Sequence, residues 1–310
     1  MSTTRTAVSA APPATFAPST SRTRLARAKF WFRRTGWRHV VGIVLLFWGL
    51  FPLVYVVSTS FNTSGTLAGS NRLFRSFTLD NYRGLFNDPT LPYARWWINT
   101  LVVGIICSAG ITFLSAIAAY AFSRMRFKGR RLGLQTVVIM QMFPQFLAVI
   151  ALFLLMDGFG GYIPFFGIDT LAGLILVYLG GALGVNTYLM YGYFNTIPKS
   201  LDEAAKLDGA SHVRVFFTII LPLVRPILVV VGVLSFIGVT GDFIIASVML
   251  KSPENQTVAV GAVRLVSGER RNQVWGVFTA GAVLAAIPLM VLWLRSQKHI
   301  VTGLSSGAVK

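Results

Sequence analysis

Residues 198–226 read PKSLDEAAKLDGASHVRVFFTIILPLVRP, a polar island between two long hydrophobic runs. Ser200 followed three residues later by Glu203 predicts a capping box, in which each side chain satisfies an orphan backbone donor at a helix start. The predicted helix begins near Leu201. Asp202 and Glu203 suit the positive end of its dipole, Ala204 and Ala205 favour helix, and Gly209 supplies the left-handed position that ends it. Such a helix of about eight residues is roughly 12 Å long and marginal on its own in water, so its order should come from packing. Small alanines beside Leu201 and Leu207 suit insertion into a partner's groove.

The island is an exception in a chain of 310 residues that is 54% hydrophobic and 12% charged, far more apolar than an average soluble domain. An all-α membrane protein follows. Residues 1–38, rich in Ser, Thr, Ala, Pro and Arg, read as a disordered basic tail. Residues 39–61 read as a first transmembrane helix, uncleaved, because the apolar run is long enough to span about 30 Å and the basic region ahead is too long for a signal peptide. Residues 62–97 form an extracytoplasmic loop. The core, 98–302, holds five more spans at about 98–123, 132–156, 171–194, 227–250 and 275–294, six in all, with 303–310 as a C-terminal tail.

Charge sets the topology. The net charge is +18, and twenty of the 28 Lys and Arg residues fall in the N-terminal tail, in 124–131, in the island and at the C-terminus. The opposite side holds eight, with none in 157–169. The positive-inside rule then places both termini and the island in the cytoplasm, and it explains the basic balance better than nucleic acid does. Six of the seven tryptophans lie near span ends, where an interfacial belt would put them. The single cysteine, Cys107, sits in an apolar run and reads as a small buried packing residue.

Polar groups within the spans are few. Asp242 is the one carboxylate well inside a span, where charge costs several kcal/mol unless it faces a polar cavity or a partner. It reads either as a translocation-path or gating residue or as an interhelical hydrogen-bonding group. Gln141 and Gln145 share a face of the third span around Pro144, and Asn186 and Tyr188 lie in the fourth. Amides and an aromatic platform suit sugar hydroxyls, and the same groups also serve as bonds between helices. Small residues four apart, as in Ser115 and Ala119, permit close helix contact, and Pro144 and Pro288 predict kinks. No G-x-x-x-x-G-K-[ST] phosphate loop is present in the sequence. His39, His212 and His299 lie at span boundaries with no neighbour at metal-ligand spacing, and no metal site is expected. The lack of convergent catalytic groups weighs against a membrane enzyme. An ion-coupled secondary transporter would have Asp242 alone to work with.

The island also carries a resemblance. Glu203, Ala204, Ala205, then Gly209, Ile219, Leu221 and Pro222, at those spacings, resemble the EAA loop of ABC-importer permeases. AYAFSRMRFKGR at 119–130, QMFP at 141–144, YIPFFGIDT at 162–170 and the closing GLSSGAVK extend the match over about 40–310. Together they resemble the smaller permease subunit of maltose/maltodextrin importers. The resemblance implies a type I ABC-importer permease fold in the inner or plasma membrane, with Ser200 to Gly209 as a cytoplasmic coupling helix. It implies as partners a homologous second permease, two ATPase subunits carrying ATP and Mg, and an extracytoplasmic sugar-binding protein. Maltose or related alpha-glucosides, trehalose included, would be the cargo, with another sugar as the alternative. Most direct sugar contacts in the resembling system belong to the larger permease. A tail with Ser305, Ser306 and Gly307 would reach between the ATPase subunits.

Overall fold

In the computed structural model, residues 31–267 and 272–308 are described, and no strand occurs among them. The chain divides into two compact units, residues 1–54 and 55–310. Thirteen helices organise the described residues. A π-helical turn at Phe32–Gly36 leads into α1 (Trp37–Ser60). Residues 31–38, expected as part of a disordered tail, are therefore helical, and 1–30 lie outside the described residues. Within the first unit the apolar side chains of α1 are exposed nearly all round, with Trp48 at 82%. An all-round apolar surface is what a lipid-facing helix carries.

The second unit is built on α3 (Tyr93–Arg124), whose 32 residues make it about 48 Å long. The short helix α2 (Asp80–Asn87) precedes it. The third predicted span is broken. It consists of α4 (Arg130–Gln141) and α5 (Gln145–Tyr162), because Pro144, extended at ψ 111°, cannot continue α4. The fourth is broken too, into α6 (Leu171–Gly180) and α7 (Val185–Phe194), which meet at 53°. After α8 (Ser200–Leu207) come α9 (His212–Leu223) and α10 (Arg225–Gly241), bent by 79°. The chain then runs through α11 (Ile244–Met249), α12 (Val258–Val266) and α13 (Trp275–Ala308). Pro288 lies inside α13 without ending it.

By length and composition three described helices can cross a membrane, and up to five spans result if each bent pair counts as one. The six spans of the sequence reading are thus not all recovered as continuous helices. The C-terminal tail expected at 303–310 differs as well, since α13 continues through Gly303 and Gly307 to Ala308.

Three buried clusters hold the second unit together. The first joins Ala116, Ala119 and Tyr120 of α3 to Met190 and Phe194 of α7, Ala205 of α8, and Val215, Phe216 and Ile220 of α9. The second packs Val103, Cys107 and Ile111 of α3 against Leu174 of α6 and Ala246 and Met249 of α11. Cys107 is fully buried, as its apolar setting suggested. The third gathers Leu85, Tyr93, Trp96, Val258 and Ala280. Here Trp96 is buried and donates to Pro253 O at 2.6 Å, while Trp97 donates to Leu284 O at 3.3 Å. Two of the six tryptophans expected in an interfacial belt thus donate to backbone carbonyls within the chain. One helix, α3, takes part in all three clusters and so connects the two regions that carry polar chemistry.

Candidate functional site

The first region lies at the C-terminal end of α3. There α8 occupies Ser200–Leu207, the eight residues expected, but it starts one residue earlier than the capping box requires. Lys199 takes the N-cap position with αR backbone angles, Leu201 N donates to Pro198 O at 3.4 Å and Glu203 N to Lys199 O at 3.1 Å. Ser200 is consequently the first helical residue and makes no capping bond. Its geometry cannot serve as a cap, and Glu203 faces solvent.

The C-terminal end forms as predicted. Gly209 has φ +79°, donates to Lys206 O at 3.0 Å, and is followed by Ala210 N donating to Ala205 O at 2.9 Å. These two bonds satisfy carbonyls that the helix end would leave open. Ser211 then caps α9 by accepting from Arg214 N at 3.3 Å. Within α9 the stretch Phe216–Ile220 is π-helical, with Leu221 N bonded to Phe216 O. Pro222, lacking an N–H, follows this widened turn. Ile219 and Leu221 are half-buried against the first cluster, whereas Pro222 is exposed.

Which face of α8 turns inward is set by charge. Asp202 and Ala205 are buried, and Asp202 Oδ2 lies 2.9 Å from Arg124 Nε, the two side chains being 9% and 4% exposed. The approach lacks the alignment of a hydrogen bond, so charge holds it. Arg124 Nη2 also donates to Ile197 O at 3.0 Å. The outward face then carries Leu201, Glu203, Ala204 and Leu207, with Leu207 90% exposed. Sequence reading assigned Asp202 only to the helix dipole and Arg124 only to charge balance. Their pairing across 78 residues leaves no local signal.

The second region is a cavity of about 1150 Å³ between the broken helices. Gln141, Asn186 and Asp242 line it, as do Tyr178, Ser235 and Gly238. Tyr188 does not; it is exposed, its ring 6.5 Å from that of Tyr191. Gln145 begins α5, and its side chain lies outside the described residues. Asp242 sits just past the end of α10, where its Oδ2 accepts from Tyr178 Oη at 2.7 Å, Ile245 N at 3.1 Å and Ala246 N at 3.2 Å. Dipoles and donors at the start of α11 thus offset the cost of the carboxylate. Gln141 spans the two breaks, its Oε1 accepting from Val185 N. Gly184 makes that approach feasible, because a Cβ there would collide with the Gln141 amide. Ser235 of α10 and Asp242, seven residues apart in sequence, both line the cavity, a spacing that could have revealed Ser235.

At the other end of α3 a third carboxylate ties two connections together. Asp169, at φ +63°, accepts through Oδ1 from Lys251 N at 2.7 Å and Ser252 N at 2.9 Å, and through Oδ2 from the Ser252 hydroxyl at 2.5 Å. Asn255 Nδ2 donates to its carbonyl at 2.7 Å. Partial burial opposes ionisation of Asp169, but the bonds from Ser252, Lys251 and Asn255 outweigh it and hold the carboxyl below its usual range.

Residues 96–306, which contain all three regions, match the family described as the binding-protein-dependent transport system inner membrane component. The chain is 41% identical over 266 residues to the galactooligosaccharides transport system permease protein GanQ of Bacillus subtilis, covering 84% of this chain and 90% of that protein. Over 271 residues it is 42% identical, with the same coverage, to the maltose/maltodextrin transport system permease protein MalG of Vibrio vulnificus. A chain of the bacterial ABC transporter that imports the acidic polysaccharide alginate shares the fold, with a TM-score of 0.73 at 21% identity, covering 92% of this chain and all of that one.

Proposed function

The chain belongs to the family of binding-protein-dependent inner-membrane transport components, and on that premise we propose that it is the permease subunit of an ATP-driven importer for maltodextrins or related alpha-glucosides, trehalose among them. Its partners are a homologous second permease, two cytoplasmic ATPase subunits that bind ATP and Mg, and an extracytoplasmic sugar-binding protein. Six spans carry it across the membrane, α4 and α5 together making the third, with both termini and 124–131 in the cytoplasm. In this reading α8 seats in the ATPase and transmits its closure to the spans, and the end of α13 with Ser305, Ser306 and Gly307 extends toward the same subunits. The cavity lined by Gln141, Asn186 and Asp242 is this chain's half of the sugar path.

One observation carries the reading. The face of α8 turned into its own chain holds Asp202 and a single alanine, while Leu201 and Leu207 point away from it. A free surface helix would bury its leucines and expose its acid; this arrangement suits a helix whose apolar face awaits a partner. A second cargo has its own support, since the galactooligosaccharide relative is as similar as the maltodextrin one.

The test is purification of the chain with the proteins it retains, followed by reconstitution with the cognate binding protein. An ATPase should co-purify, and uptake of maltose, maltotriose and trehalose should exceed that of galactooligosaccharides. Uptake of galactooligosaccharides alone would move the cargo to the second reading. Uptake without any ATPase would overturn the first.

A further inference from the structure

We propose that Arg124 and Asp202 form the joint that converts movement of α8 into movement of the spans, a positioning pair rather than a stabilising one. The inference rests on α8 as the ATPase-facing helix and adds the residues through which force leaves it. Among the described residues, Arg124 links its own helix to two other segments. It ends α3, contacts Asp202 in the first turn of α8 at 2.9 Å, and donates at 3.0 Å to Ile197 O in the exit from α7. A displacement of α8 is therefore imposed on two spans together. Both reach the cavity, α3 through Ile111, about 20 Å along the helix from Arg124, and α7 through Asn186.

The chemistry favours a directional joint. An arginine side chain keeps its charge at any physiological pH, and its planar fork fixes an angle that an apolar contact would not. Both side chains are nearly solvent-free, yet Arg124 Nη1 and Asp202 Oδ1 find no hydrogen-bond partner in the described chain. A buried pair so sparsely bonded adds little stability over a well-packed apolar pair, while each charge depends on the other. Other α8 contacts are slight, since Ala205 is its only buried apolar residue. Nearby, Tyr120 donates to His212 O at 3.3 Å, which keeps α9 on α3 beside the joint.

The experiment uses the whole importer in lipid vesicles with its binding protein, comparing Asp202→Asn with the apolar double variant Arg124→Leu/Asp202→Leu. Readouts are ATPase subunits retained per permease and sugar accumulated per ATP hydrolysed. The double variant should assemble, because replacing a buried pair with apolar residues is tolerated, and sugar moved per ATP should fall about tenfold or more. Asp202→Asn should lose coupling to a similar degree if it assembles. Full coupling in an assembled double variant overturns the joint. A Leu207→Glu control separates the two ideas. Loss of ATPase in that control with full coupling in the double variant defeats the joint alone, whereas a control that retains ATPase and coupling defeats the docking role of α8.

Discussion

Asp202 is buried and Asp242 half-buried on the cavity wall, and the chain holds the two carboxyls in different ways. Asp202 faces a guanidinium, so its partner is a fixed full charge. Asp242 faces a tyrosine hydroxyl and two backbone N–H groups, and no cation contacts it among the described residues. The α8 region consequently has one well-defined angle, set by a pair that fails if either member is lost. The cavity region has several weaker donors spread over α6 and α11, so it can rearrange by exchanging one bond for another. The surrounding backbone follows the same division. The loop end has a closed Schellman turn at Gly209; the cavity is walled by the breaks at 142–144 and 181–184.

The largest effect is expected at the rigid side. Gly209→Val places a β-branched residue at φ +79°, a strain on the order of 1–2 kcal/mol or more. That is too little to unfold the spans, but it redirects the chain from Ala210 into α9. Binding-protein-stimulated ATP hydrolysis in vesicles should drop to the unstimulated rate at normal complex abundance. Wild-type stimulation would show that the angle of this turn does not matter.

The next effect belongs to the cavity. Asp242→Leu leaves the Tyr178 hydroxyl and two N–H groups without their acceptor, a cost of about 2–4 kcal/mol. Asp242→Asn keeps an acceptor and should cost about 1 kcal/mol. Thermal unfolding of the solubilised complex checks both. Equal losses would mean that the charge itself, rather than the hydrogen bonds, holds the site, and the contrast with Asp202 would collapse.

How much of this could be read from sequence follows the range of the interactions. Gly209 was legible because a glycine after a helical octet has a local conformational meaning. The break at Pro144 was legible as a kink, though not as a full separation of α4 from α5. The break at 181–184 was not, because the Gln141 amide that satisfies Val185 N comes from 44 residues away. Asp242 was picked out as a costly charge, yet its donor Tyr178 lies 64 residues distant. Arg124 and Asp202 were each given an adequate surface explanation, so nothing in the sequence demanded a partner. Ser200 misled because its spacing to Glu203 fits a box that the actual helix start displaces.

A smaller effect tests whether donors alone behave as described, using the carboxylate at the far end of α3. The bonds donated by Ser252, Lys251 and Asn255 hold the Asp169 carboxyl below the ordinary carboxylate range. A depressed folded-state pKa contributes stability that is present above the unfolded value and lost as pH falls through the folded value. At neutral pH Asp169→Asn should therefore melt below wild type, and the gap should close as pH drops below about 4. A gap that persists undiminished in acid would assign the difference to shape rather than charge.

The smallest expected effect concerns the first turn of α8, beside the ion pair. Ser200 is the first residue of α8 and makes no side-chain cap, so Ser200→Ala removes no bond and gains slightly in helix propensity. Its effect on stability should stay within about 0.5 kcal/mol, and hydrogen exchange in α8 should not accelerate. A working capping box would instead lose about 1 kcal/mol on this substitution. Such a loss would require Ser200 to be non-helical and α8 to start one residue later. That change would free Ser200 to cap the turn while Asp202, helical with either start, stays opposite Arg124. The same substitution in an Asp202→Asn background then distinguishes the two starts. With the helix starting at Ser200, the two changes are independent and their effects add. With a start at Leu201, Ser200 would cap the turn that carries Asp202, and the two losses would couple instead of adding.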